Sequence, residues 1–175
     1  KMIDKAIKEK NSNDELLENF KSFGNKINFE TGEIISSQKF VNSKVYLIKS
    51  GNARLITKIN GKLISALKLS TGDTIGIASL LGGKPIEEVR ASKELVVYAI
   101  EDKKFLEIYQ KNLNIKYFCD NHIWEAEKLS ILKNFPKLNN KSLLINTNLF
   151  EAIHKKINLI TPDENQIINS LKNKK

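Results

Sequence analysis

The chain has 175 residues, 41% of them apolar, and a net charge of +9, which suits one domain of usual size with an accessory segment. No apolar run reaches the roughly 18 residues a membrane helix needs, Lys1–Asn19 is too polar for a secretory leader, and Cys119, the single cysteine, excludes an intrachain disulfide and reads as a small buried hydrophobe in a reducing cytoplasm. The positive excess is scattered along the chain and supplied almost wholly by lysine, with Arg54 and Arg90 the only arginines, so it does not form the arginine-bearing stripe expected of a nucleic-acid binder.

The first element predicted is a short helix capped by Ser12 or Asn13, with Asp14 and Glu15 in its first turn. Leu16, Leu17 and Phe20 share its apolar face, and Gly24 ends it. From Lys26 to Ile100 the texture changes to short β runs: residues 27–29, 33–36, 45–49, 53–59 and 62–69, then two more strands within 89–100. Asn60-Gly61 between two of these runs is the strongest hairpin signal in the chain. Leu55, Ile59, Leu63, Leu67 and Leu69 are the expected inward positions of that hairpin. About eight short strands at regular spacing predict an eight-stranded antiparallel β-roll or jelly roll, mainly β, with an N-terminal helix and a C-terminal helical segment.

After Glu101-Asp102 the pattern turns helical. Phe105, Ile108 and Tyr109 form one stripe, and a second helix is predicted from Leu113 to Leu132, broken by Asn134-Phe135-Pro136. A weaker helical stretch spans 142–159, and Thr161-Pro162-Asp163-Glu164 starts a last helix before a frayed tail at 171–175. The expected division is therefore 1–25 (helical entry), 26–100 (β-roll) and 101–175 (helical segment). With Met2 following Lys1 as the only methionine, the chain reads as a piece excised from a longer protein.

The glycine-rich stretch from Gly72 to Ala91 looks like the loop chemistry that cradles phosphate, because amides opening a short helix point outward. The ordered set of Val45-Tyr46-Leu47-Ile48-Lys49-Ser50-Gly51, Asn60-Gly61, Thr71-Gly72-Asp73, Ile75–Leu81 and Pro85 resembles the cyclic nucleotide-binding domain family over about residues 26–110. In that family the phosphate-binding cassette holds the cyclic phosphate with backbone amides and an arginine, and a glutamate takes the ribose 2′-hydroxyl. Carried over, the glutamate falls on Ile77 and the arginine on Ile86, while the following small residues become Glu87 and Glu88. Gly76, Ala78 and Ser79 keep the amides and a hydroxyl, and Lys84 or Arg90 could replace the missing charge.

Losing both polar anchors costs about 3–6 kcal/mol, a factor of about 10²–10⁴ in affinity. Two carboxylates at the rim add repulsion of ~0.5 kcal/mol each at ~8 Å. A cyclic nucleotide is thus possible but disfavoured as ligand. Ile77 and Ile86 either fill the pocket with hydrocarbon, the glycines serving the turns alone, or line a site for a different small molecule.

Outside the cassette the sequence offers little chemistry. Asp120, His122 and Glu125 read as a solvated helix face, neither His122 nor His154 has ligand spacing for a metal, and no nucleophile or Walker motif is present. Tyr117, Phe118 and Trp124 read as packing. A helix-turn-helix of the family's transcription factors is not expected, since residues 137–175 contain no glycine for its turn. Gly72–Leu81, with Glu87-Glu88-Val89 and Ala91-Ser92 behind it, also resembles the degenerate N-terminal domains of cyanobacterial peptide- and toxin-secretion ABC exporters. That resemblance implies a non-enzymatic regulatory or docking module on the cytoplasmic side of a transporter. Its partners would be the parent protein's other domains or a second copy bound through the C-terminal helices. The rival reading is a cyclic-nucleotide or other small-ligand sensor regulating transcription.

Overall fold

The computed structural model describes residues 2–59 and 61–134. In chain order these form α1 (Met2–Phe23), β1 (Asn25–Phe29), β2 (Ile34–Ser36), β3 (Lys44–Ser50), β4 (Ala53–Ile59), β5 (Lys62–Leu69), β6 (Thr74–Ile75), α2 (Ile77–Gly82), β7 (Glu88–Ala91), β8 (Leu95–Glu101), α3 (Asp102–Lys111), α4 (Leu113–Asn121) and α5 (Glu125–Asn134). The stretch predicted as helical at 142–159, the capping box at 161–164 and the tail at 171–175 lie outside the described residues.

Eight antiparallel strands form two four-stranded sheets, β1-β8-β3-β6 and β2-β7-β4-β5, which is the predicted roll. The last two strands, adjacent in sequence, lie in opposite sheets: β8 pairs with β1 and β3, and β7 with β2 and β4. The hairpin signal holds, with Ile59 opposite Lys62 and Gly61 at φ +80°, a region where glycine escapes the Cβ clash.

Period-two alternation divides the apolar residues of β3 between two cores. Tyr46 and Ile48 join Leu55, Val89, Leu95 and Val97 between the sheets. Val45 and Leu47 join Ile100, Leu16, Phe20, Phe105 and Ile115 under the helices. Such a strand is buried on both faces and reads as a continuous apolar run. Phe20 and Phe105, both fully buried, meet with ring centroids 6.1 Å apart, and each contributes about 1.5–3 kcal/mol through burial.

Three local expectations are corrected. The first helix begins at Met2, so Ser12 lies inside it and is 2% exposed. Residues 2–11 are mostly good helix formers supported by the Lys5–Glu9 pair, and propensity carries the helix through the polar cap candidates. Leu63 is exposed, because β5 shifts register between the Leu55 and Ile56 pairings. Ala66 and Leu67 are consequently both buried, and the alternation reverses beyond them.

The helix predicted over 113–132 is two helices. His122 is extended at φ −80° and ψ 137°, its N–H closing α4 on the Phe118 carbonyl. Phe118, His122 and Trp124 then cluster, with centroids 4.4–6.0 Å apart, and Glu127 accepts the Trp124 N–H at 3.2 Å to start α5. Ring packing and this half of a capping box turn the chain back, and Ala126 and Leu129 reach the inter-sheet core. Cys119 is buried, as expected.

Candidate functional site

Gly76 begins the cassette. Its φ of +94° is open to glycine, and a Cβ there would stand 3.3 Å from the Lys44 carbonyl. That turn starts α2, whose first amides have no partner within so short a helix. The chain supplies one. Glu87 Oε2 accepts the Gly76 N–H at 3.0 Å, and Glu87 Oε1 accepts the Ser79 N–H at 3.2 Å and the Ser79 hydroxyl at 3.4 Å. Ser79 Oγ in turn accepts the Ile86 N–H at 3.1 Å. Ser36 Oγ donates to the Glu87 carbonyl, holding this end of the strand against β2.

Glu87 is 6% exposed. Residues 87, 89 and 91 are all buried, by the alternation that continues into β7, while 88 and 90 are only partly buried. Burial pushes the Glu87 carboxyl above the ordinary carboxylate range. The hydrogen bonds from Gly76 and Ser79 pull against that rise, and the Glu127 charge adds to it.

The expectation that Glu87 and Glu88 both stand at the rim is therefore corrected for Glu87: its carboxylate lies inside, on the amides that resemblance assigns to a cyclic phosphate. Glu88 is half-buried and pairs with Arg90 at 3.3 Å. Arg90 is half-buried too, its Nε buried without a hydrogen-bond partner, and Lys84 is exposed. Ile77 is 1% exposed and packs in the core beneath the helices. Ile86 is partly buried against the inter-sheet core, and Pro85 is half-buried. The structure thus brings Gly76, Ser79, Ile86 and Glu87 together by hydrogen bonds, with Ile77 and Ala78 beside them, and leaves Pro85, Glu88 and Arg90 outside that network.

Beside the cradle a cavity of about 460 Å³ is bounded by α1, the Gly72–Thr74 turn, α2 and the α4–α5 junction. Ile77, Ala78 and Glu87 line it together with Asp73, Trp124 and Glu125. Burial also raises Asp73, opposed by the Ser70 N–H. It raises Glu125 as well, where Lys128 at 3.7 Å lowers and Asp73 adds to the shift. His122 and Glu125, expected on a solvated helix face, line this cavity instead. Asp120 is exposed and accepts the Tyr109 hydroxyl.

The Gly76 and Ser79 amides are taken by a carboxylate, Ile77 and Ile86 stand where the resemblance puts the family's polar anchors, and Glu9, Asp73, Glu87 and Glu125 line the cavity with one lysine, Lys10. Asp73 and the whole α1 and α5 contribution were beyond sequence reasoning, since they meet the cassette only through tertiary packing. The inward turn of Glu87 did leave a signal, its period-two phase with Val89 and Ala91. Among the described residues no group of three or more His, Cys, Asp or Glu is placed to hold a metal ion, and no helix is long and apolar enough to cross a membrane.

Residues 26–112 match the family model of the cyclic nucleotide-binding domain. Among curated proteins, none matches this sequence. Among solved structures, the catabolite activator protein of Thermus thermophilus is 22% identical and covers 59% of this chain and 50% of its own, with a TM-score of 0.52. The cyclic nucleotide-binding-like protein of Brucella abortus is 16% identical over 50% of this chain and 77% of that one, TM-score 0.44. The c-di-GMP-responsive regulator CLP of Xanthomonas campestris is 13% identical over 58% and 50%, TM-score 0.49. This chain spans half the length of the Thermus protein, with which it shares the fold. The two-sheet roll and the glycine-led cassette fall within residues 26–112, the segment that matches the cyclic nucleotide-binding domain family.

Proposed function

We propose that this chain is a non-enzymatic regulatory or docking module of the cyclic nucleotide-binding type that has exchanged its nucleotide phosphate for its own glutamate. The observation that carries this reading is the Glu87 carboxylate on the Gly76 and Ser79 amides. An incoming phosphate would have to displace a hydrogen-bonded charge and would then find Ile77 and Ile86 where the family's polar anchors stand. Charged hydrogen bonds contribute about 1.5–3 kcal/mol each, so the two missing contacts weaken binding of cyclic AMP or GMP by about 10²–10⁴-fold relative to a site that has them.

In this reading the module works through its helices. A partner or input that favours one seating of α3–α5 on the roll shifts the population toward it. The partners are other domains of the parent protein, or a second copy through the C-terminal helices. The exporter context and cytoplasmic location rest on the sequence likeness of residues 72–92 and on the reduced-thiol reading of Cys119, and the sequence encoded beyond Lys175 tests them. Calorimetric titration with cyclic AMP, cyclic GMP and cyclic dinucleotides tests the ligand reading. No saturable heat at micromolar concentration is expected; tight binding of a mononucleotide would return the chain to the sensor class.

A further inference from the structure

Arg54 and Arg90, the only arginines of the chain, are far apart in sequence and side by side in the fold. Arg54 on β4 is the register partner both of Arg90 on β7 and of Lys68 on β5, and register partners in an antiparallel sheet share a face. Neighbouring strands lie about 4.8 Å apart, so this row of cations crosses about 10 Å of the β2-β7-β4-β5 sheet. Ala53, Leu55, Val89 and Ala91, of the opposite phase, are buried between the sheets, which puts the row on the other face. Lys58 joins that face by the same alternation, with its partner Leu63, and Ile34 ends the row beside Arg90. Ile34 and Leu63 are 55% and 51% exposed. Glu88, opposite Ile56, holds one end of Arg90 at 3.3 Å, while Arg90 Nε is buried without a hydrogen-bond partner. Among the described residues, the side chains of Arg54, Lys58 and Lys68 have no ion pair or hydrogen bond.

Like charges directly opposite one another weaken a sheet, so the isolated chain carries this row at a cost that an anionic partner relieves. Residues 135–175 hold seven lysines against three acidic residues and do not complement it. Nucleic acid is held by long runs of phosphate contacts and by aromatic stacking, whereas this face is short and flanked by the aliphatic Ile34 and Leu63. Arginine beside exposed apolar side chains is the composition that protein interfaces favour, and its planar fork suits carboxylates. We propose that this face of the β2-β7-β4-β5 sheet docks an acidic polypeptide segment, whose carboxylates take Arg54, Lys68 and the unused donors of Arg90 while its apolar side chains cover Ile34 and Leu63. This deepens the docking reading of the module and rests on it, and it leaves the cradle uninvolved.

With only two arginines, the chain gives two Nε–Hε resonances, both from this face. The test is titration of the isotope-labelled full chain with an unlabelled peptide repeating glutamate, leucine and glycine, up to millimolar concentration. Both arginine peaks and the Lys68 amide should shift to saturation. R54Q/K68Q should weaken binding by about tenfold. K10Q/K103Q, which removes the same charge from exposed positions on α1 and α3, should change it by less than about twofold. R54Q should melt no lower than the wild type at low salt, because it relieves the row's repulsion, so lost binding is not lost folding. No saturable shift in the wild type overturns the proposal. So does equal weakening by the two double variants, or equal binding of a leucine-free glutamate–glycine peptide or of duplex DNA. No cyclic nucleotide is added, and tight cyclic AMP binding in the calorimetric test would leave this result standing, so the two failures are distinguishable.

Discussion

The carboxylate of Glu87 sits on the amide of Gly76 at 3.0 Å, eleven positions away along the chain. This contact joins the first turn of α2 to the start of β7, across the loop that in its relatives' pattern would frame a phosphate. It satisfies donors that a six-residue helix cannot satisfy itself, and it places a negative charge where the helix end favours one.

Removing that carboxylate should expose the cradle. Glu87→Ala leaves the Gly76 and Ser79 amides without their acceptor, for an expected loss of about 2–4 kcal/mol in urea unfolding. Added formate or acetate should restore thermal stability to this variant more than to the wild type. Equal effects on both would mean the amides are satisfied some other way.

The pH dependence has a definite sign. Burial raises the folded-state values of Glu87, Asp73 and Glu125 above their unfolded ones. Below the ordinary carboxylate range both states are protonated and any stability from these groups is fully present. As pH rises the unfolded chain releases its protons first, so the native state loses stability until the raised folded values are passed. The stability of wild type relative to Glu87→Gln should therefore decline from about pH 5 toward neutrality; a rise over that interval contradicts the assignment.

Ser79 links two halves of the network, accepting from the Ile86 N–H at 3.1 Å and donating to Glu87. Ser79→Ala should cost about 1–3 kcal/mol and sharpen exchange of the Ile86 amide. A neutral substitution would show that the hydroxyl is replaceable by solvent.

Gly76 carries a backbone demand independent of charge. At φ +94°, with the Lys44 carbonyl 3.3 Å from a built Cβ, Gly76→Ala should destabilise by about 1–3 kcal/mol. The control is Gly32→Ala, also at positive φ but with open space around its Cβ, which should cost less.

The fold was legible because its signals are local. The Asn60-Gly61 turn, the apolar run at 45–48 and the Phe105–Ile108 stripe each specify an element without distant partners. The misreadings came from tertiary effects: packing of Phe118, His122 and Trp124 broke a helix that spacing alone would continue, and a bulge near Ala66 turned Leu63 outward. The candidate site was half legible. Its glycines and the hydrocarbon at 77 and 86 could be read directly, whereas the approach of α1, Asp73 and α5 could not. Glu87 was visible as a charge in the wrong place, and only its phase with Val89 and Ala91 marked it as pointing in.

The central claim, that the chain's own glutamate holds the cradle, is tested most directly by the amide resonances of Gly76 and Ser79. In the wild type they should lie downfield, move together as Glu87 titrates, and stay unchanged when cyclic AMP is added to excess. Amides that ignore Glu87→Gln and shift to saturation with micromolar cyclic AMP would contradict it.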